Sequence, residues 1–349
     1  DLHRLIRRQR QMCIRDRYHI VQLISLLYIV VSLIALVLLF RLEKVGIIIS
    51  YSIAYLATAV ITISLTKKEI IKIAKEVKIK IKSIKEYLLG AITTTLIAIS
   101  FSFLGWIDSI ILGRLSTFSN VAIYGIISPI SNSLTIIPLT LGAFLLTRSA
   151  QLTNLKKSKK VLLRVLRISY SLSISLALGV SSILPFLFRL FFPKYIGNEI
   201  YAVILFMGIL LYGNYFLIYT HALGRLNQNK AILPIIIAAL LNIALDFVLI
   251  PNFGMYGITF ATTFSHLIAF ILLSKELKLF NITKKFIAPL LLIPLAFILE
   301  YWGLLLIPFL VGFLFTFDLI RKKDLIVMKN AVLDSIKPLF NKKINHVQK

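Results

Sequence analysis

One cysteine, Cys13, in a chain of 349 residues excludes an internal disulfide framework. Acidic residues are scarce, with 14 Asp and Glu against 40 Lys and Arg. No Gly-rich loop leads into a Lys-Ser or Lys-Thr pair, so the chain carries no Walker motif with which to use ATP itself. No loop holds a carboxylate pair or a His/Cys cluster at metal-ligand spacing, which removes the usual signs of acid–base or zinc chemistry. The sequence implies no cofactor, and no signal peptide is expected in the residues before the first apolar run. What is abundant is hydrocarbon: 58% of residues are hydrophobic and mean hydropathy is +0.90. Ten apolar runs stand at 18–40, 45–65, 87–112, 119–147, 161–188, 199–222, 231–250, 256–274, 286–299 and 303–319. A helix needs about 20 apolar residues to cross a bilayer, and most of the runs meet that length. Strands of a membrane barrel need only about ten alternating residues, so the runs predict an all-α, polytopic membrane helical bundle of about ten spans. The last two runs are short and predict a tight helical hairpin.

Charge orients the bundle. All but five of the 40 Lys and Arg fall in every second gap between the runs or, for Arg164 and Arg167, in the first turns of the run that follows such a gap, and the exceptions are Arg41, Lys44, Arg114, Arg189 and Lys194. Lys and Arg collect on the cytoplasmic side of membrane proteins. The alternation therefore predicts a multi-pass protein of the cytoplasmic membrane with both termini inside the cell. A net charge of +26 would suit nucleic acid, but here it is divided among short loops with no compact basic domain to hold a duplex. Nucleic acid is excluded on that ground, and anionic headgroups of the inner leaflet are the expected partner. Oligomeric state has no signature.

Two segments differ from the rest. Residues 1–17, DLHRLIRRQRQMCIRDR, depart from the Ile/Leu/Lys style that follows, and MCIRDR resembles a translated adapter scar; the segment is expected to be non-native. Residues 66–86 carry eight Lys, with Ile70, Ile73, Val77, Ile81, Ile84 and Leu88 recurring at helical steps. That predicts a basic amphipathic helix, lying among headgroups or serving as a solvated linker. The spans opening at Gly46 and Gly257 echo one another faintly, as the repeated bundles of transporters do. Pro129, Pro138, Pro185, Pro234, Pro289, Pro294 and Pro308 lie within runs and can kink them.

The most specific stretch is 221–274, with a Gly-Arg-Leu-Asn-Gln turn followed by LNIALDFVLIPNFGMYGITFAT. Asn242, Pro251, Gly254, Gly257, Ala261 and Thr262 give it an Asn-bearing helix ending in Ile-Pro, a Gly-x-x-Gly turn and a helix of small residues. A second stretch, 104–142, presents Asp108, Leu112, Gly113 and Tyr124. Together these resemble the polysaccharide-export flippases of the MOP (multidrug/oligosaccharidyl-lipid/polysaccharide) superfamily, which often have Asn where this chain has Asp246. The resemblance implies a two-lobe transporter of fourteen helices, of which this chain is expected to hold a part. In that scheme 18–65 forms the last two helices of the N-terminal lobe and 66–86 a cytoplasmic linker. Residues 87–274 form a six-helix C-terminal lobe, and 275–349 two further helices and a basic tail. About four preceding spans are expected to be missing.

Polar groups inside spans are costly and often functional. Asp108 and Asp246 lie near the outer ends of their helices, and Asp246 shares a face with Asn242 one turn away. They are candidates for ion coupling, or Asp residues near enough to the interface to be hydrated. His266 stands near mid-membrane and is either a titrating group or a hydrogen-bonded structural one. Asn132 and Asn214, also near mid-span, either glue helices or line a wet path. Arg148, Arg164 and Arg167 are ordinary positive-inside charge or the grip on a lipid-linked phosphate. Asn132, Arg148, Arg164, Arg167, Asn214, Asn242 and His266 are thus the candidates for a substrate path, and no residue is a candidate metal ligand. The expected function is alternating-access flipping of a lipid-linked oligosaccharide. A cation-coupled multidrug antiporter of the same superfamily and a membrane-embedded glycan polymerase or glycosyltransferase are the alternatives. The antiporter should hold deep acids, which are few here. The enzyme should carry its acids on a sizeable loop, and the outer gaps are short.

Overall fold

The computed structural model describes residues 24, 26–39, 42–76 and 81–316. The 1–17 segment with Cys13 and the basic tail beyond 316 lie outside the described residues, as do the side chains of the 66–86 lysines. Contacts divide the chain into a unit ending at Gly90 and a second beginning at Ala91. The first holds α1 (Leu26–Leu38) and α2 (Glu43–Glu76). Tyr28 and Tyr55 pack with ring centroids 4.8 Å apart, and a Cβ at Gly46 would stand 3.2 Å from the Leu39 carbonyl carbon, so the turn between the helices needs glycine there. The basic segment is therefore not a separate helix over its first half. α2 runs unbroken through 66–76, because Lys, Glu and Ile are good helix formers and nothing in KKEIIKIAKE stops a helix already nucleated.

The second unit continues along α3 (Ile81–Leu115) into α4 (Phe118–Asn132), α5 (Ile136–Gln151), α6 (Leu155–Phe191), α7 (Glu199–Gly224), α8 (Asn229–Phe253) and α9 (Met255–Glu276). Short pieces follow: α10 (Phe280–Thr283), α11 (Leu292–Ile298) and α12 (Leu306–Thr316), joined by 3₁₀ turns. Among the described residues eight helical stretches are long and apolar enough to span a bilayer, and two shorter ones, Leu26–Leu38 and Glu300–Leu310, occupy the remaining runs. Each predicted run is thus helical in the described residues, and the protein is a multi-pass membrane protein. Helices are the solution because hydrocarbon offers no partner for an open backbone group.

The fourth run is not one helix. A 3₁₀ turn at Ser133–Thr135 separates α4 from α5 in the middle of a 34-residue stretch. Ser131, Ser133 and Thr135 hydroxyls bond back to carbonyls three or four residues earlier, competing with the ladder where it changes pitch. α6 has 37 residues, about 56 Å at 1.5 Å per residue, so its Lys-rich first turns stand clear of about 30 Å of hydrocarbon. α7 is the hub, packed on α4, α5, α6, α9 and α11. Small residues allow this: Gly213 closes on Pro138 of α5 and Gly208 on Thr263 of α9. The short hairpin at the end is tied to α6 by Tyr170 donating to the Phe286 carbonyl and by Arg189 facing Glu300 at 3.9 Å.

Candidate functional site

Four helices of the second unit bring their polar side chains to one buried point. α3 supplies Asp108, α4 Tyr124, α8 Asn242 and Asp246, and α9 Thr262. α8 and α9 are held as a hairpin by Gly254, whose φ of +53° reverses the chain, and by Gly257, whose missing side chain lets α9 rest on the Leu249 carbonyl. That hairpin brings Asp246 and Thr262 both to Asp108. The Tyr124 hydroxyl donates to Asp108 Oδ2 at 2.8 Å, and the Thr262 hydroxyl stands 2.6 Å from the same oxygen. Asp108 is 1% exposed, and Asp246 and Asn242 are 0% exposed, so the hydrated reading of these acids does not hold. The loop that would wet them is absent: two residues join α3 to α4, and one joins α8 to α9.

Among the described residues no positive charge stands at the site. The groups that act on the two carboxylates are each other and the uncharged Tyr124, Asn242 and Thr262. Asp108 Oδ1, both Asp246 oxygens, and the Asn242 Oδ1 and Nδ2 have no hydrogen-bond partner. Buried carboxylates without a counter-charge are too costly to stand as two anions side by side. A proton, or a small hard cation ringed by these oxygens, supplies the missing charge and satisfies the orphaned atoms. Among the described residues no group of three or more His, Cys, Asp or Glu forms a metal cage.

A second feature adjoins this point. α3 presents two different exposed stripes. Ile92, Leu96, Ile99, Phe103, Trp106 and Ile110 form an apolar stripe suited to lipid. Ala91, Thr95, Ala98, Ser102 and Gly105 form the other, exposed and without a large apolar side chain. α4 exposes Ala122, Gly125, Pro129 and Asn132, and the 3₁₀ turn after it exposes Ser133. Hydroxyls, an amide and a broken ladder exposed at bilayer depth belong against water or protein, not acyl chains.

The sequence candidates sort accordingly. Asp108, Asp246 and Asn242 come together. Asn132 stands exposed at the helix break, its Nδ2 donating to Ser128 Oγ at 3.2 Å. Asn214 is buried in α7, donating to the Leu210 carbonyl at 2.7 Å, and His266 is buried against Tyr215; neither reaches an exposed face. Arg148 is exposed at the end of α5 and bonds Gln151, and Arg164 and Arg167 lie on the first third of α6, away from the carboxylates. Tyr124 and Thr262 join the site although the sequence does not mark them as site residues. The signal that points to Thr262 is the spacing of Thr259, Thr262 and His266, one polar stripe along α9.

No protein-family model and no curated protein matches this sequence. Among solved structures the chain is similar to the lipid II flippase MurJ in an inward closed conformation. The TM-score is 0.56 at 20% identity, covering 85% of this chain and 67% of that one. The likeness shows a MurJ-type membrane bundle as the fold.

Proposed function

We propose that this protein flips a lipid-linked oligosaccharide across the cytoplasmic membrane by alternating access, driven by a cation or proton at the Asp108–Asp246 site. It is a carrier in this reading, not an enzyme. The observation that carries the reading is the uncharged hydrogen-bonding face of α3 and α4 beside a buried carboxylate pair that lacks a counter-ion. Hydroxyls and an amide suit sugar, while the carboxylates suit the coupling ion. MurJ, whose fold this chain resembles, is by its title a lipid II flippase. In this scheme 18–65 closes one lobe, 66–86 crosses the cytoplasmic surface, 87–274 is the other lobe, and 275–349 adds two helices and a tail. Both termini are cytoplasmic. Arg148, Arg164 and Arg167 then stand where a lipid phosphate enters, among anionic headgroups. The multidrug antiporter fits less well, because a bulky organic cation has no access to acids that are 1% and 0% exposed.

Cysteine labelling tests the path. In a Cys13→Ser background, single replacements Ser102→Cys and Asn132→Cys should react with a charged, membrane-impermeant thiol reagent at least about tenfold faster than Ile99→Cys and Phe103→Cys, since hydrocarbon excludes the reagent. Equal, slow labelling at all four positions means that lipid covers the polar stripe, and the path reading fails.

A further inference from the structure

The terminal hairpin is tied to α6, through Tyr170 at Phe286 and Arg189 at Glu300. α7 and α9 close on each other, with Gly208 against Thr263. Between the hairpin and the α7–α9 pair a groove of about 230 Å³ remains. Met207 and Leu211 of α7, Phe264 and Leu267 of α9, and Ala288 and Leu291 of the hairpin line it. The one hydroxyl in the lining, that of Thr263, is spent on the Ile204 carbonyl at 2.9 Å, so the groove offers nothing to water or sugar. None of its lining belongs to α3 or α4, the helices that carry the polar stripe.

Basic side chains stand over one end of this groove. On α9, Phe264, Leu267, Ile271 and Lys275 follow at three- and four-residue steps and share a face. At 1.5 Å per residue Leu267 lies about 12 Å and Phe264 about 17 Å below Lys275, close to the depth of one leaflet of hydrocarbon, about 15 Å. On the hairpin, Lys284 stands one turn before Ile287 and Ala288 of the lining. The Lys275 ammonium lies over the Phe280 ring, 5.4 Å from its centroid, and Phe280 is one turn before Lys284. Lys275 is thus drawn across from α9 toward the hairpin, and both lysines are exposed. The connection 275–285 holds four Lys and a single acid, Glu276, which points about 100° round the helix from Lys275. The tail beyond 316, with eight Lys and Arg against three Asp, has the wrong sign to cover these lysines.

We propose that this groove seats one acyl chain of an anionic phospholipid from the leaflet on the basic side, with its phosphate held between Lys275 and Lys284. Hydrocarbon fills an apolar gap, and the headgroup neutralises two cations gathered above it. The net negative charge matters, because the choline of a zwitterionic lipid would meet the same lysines. The lipid is then a resident part of the bundle that bridges the hairpin and α9. The site needs only the groove and the two lysines, and it stands or falls apart from the transport reading.

Native mass spectrometry of the full chain, released from detergent with phosphatidylglycerol or with phosphatidylcholine of the same acyl chains, tests this. One phosphatidylglycerol should be retained at least about tenfold more tightly than phosphatidylcholine. A lysine at a membrane surface is worth about a fivefold factor in affinity for anionic lipid, so Lys275→Gln and Lys284→Gln should each weaken retention about fivefold. Ala288→Phe, which fills the groove and keeps both lysines, should lose the lipid. Lys156→Gln with Lys157→Gln, an equal loss of charge at the exposed start of α6, should keep it. Equal retention of the two lipids, or equal loss in the α6 variant, means bulk attraction of charge and overturns the proposal. Full retention in a folded Ala288→Phe chain removes the acyl chain from the groove and overturns it too. If Ala288→Phe does not fold, unchanged retention in the two lysine variants does the same. Displacement of phosphatidylglycerol by an equimolar polyprenyl phosphate gives the groove to a substrate's lipid tail, and the resident-lipid proposal fails.

Discussion

Asp246→Asn is expected to stabilise the full chain and to abolish the dependence of its melting temperature on the coupling ion. In the wild type two carboxylates share a dry site, and three of their four oxygens lack a partner in hydrogen-bond geometry although Asn242 stands close by. The asparagine removes one potential charge and offers an N–H to Asp108 Oδ1. A satisfied buried hydrogen bond in place of an orphaned acceptor is worth about 1–3 kcal/mol. The ion effect should be larger. A cation that binds the folded site and not the unfolded chain adds about 2.7 kcal/mol when present at a hundredfold excess over its dissociation constant. Supplying it, by lowering the pH or by raising sodium, should raise the wild-type melting temperature and leave Asp246→Asn flat. Asp246→Leu should behave differently again: it cannot donate to Asp108 and leaves Asn242 alone, so it should be less stable than either. If Asp246→Asn is less stable than the wild type and still gains from the ion, the carboxylates are not the binding site. The general point is that a binding site that waits for its charge is kept at the expense of stability.

The spans can be read from the sequence because the physics behind them is coarse. Hydrocarbon thickness demands long apolar runs, and Lys and Arg segregate to one side whatever the helices touch. Where interactions are specific, the sequence is less informative. The run 119–147 reads as continuous because Ser131, Asn132, Ser133 and Thr135 are diluted by the Ile and Leu around them, and only the fold shows the ladder breaking there. Asp108 and Asp246 are 138 positions apart, and an Asp about two turns from a helix end is as easily wet as dry. Burial follows only from short connections and from Tyr124 and Thr262 closing over the pair. Asn214 and His266 show a different limit. Both are buried, Asn214 on α7, which is packed on five other helices, and His266 on the face of α9 that meets Tyr215. Periodicity cannot report this, since a helix that is apolar all round and one that is packed all round read alike.

Gly257→Val is expected to unfold the second unit, the largest effect of any single replacement here. A Cβ at 257 would stand 2.6 Å from the Leu249 carbonyl carbon and 3.0 Å from the Ile250 nitrogen. Both are backbone atoms of α8 and cannot turn aside as a side chain would. Overpacking of this kind costs about 1–3 kcal/mol where neighbours can shift, and here the neighbour is the helix that carries Asp246. Gly254→Ala should cost about 1–3 kcal/mol for a separate reason, because φ of +53° with ψ of −121° is a backbone state that a side chain disfavours. Gly125→Ala is the control: a Cβ added there would meet nothing within 4 Å, and stability should change by less than about 0.5 kcal/mol. Thermal unfolding of the detergent-solubilised chain, read by size exclusion, ranks the three. The ranking also bears on the site. Forcing α9 off α8 separates Thr262, which bonds Asp108, from the helix that carries Asp246, so any Gly257→Ala protein that still folds should respond to the coupling ion far less than Gly125→Ala does. A folded Gly257→Ala chain with a full ion response would mean that the α8–α9 contact does not set the carboxylate geometry, and that the glycines of this turn serve packing alone.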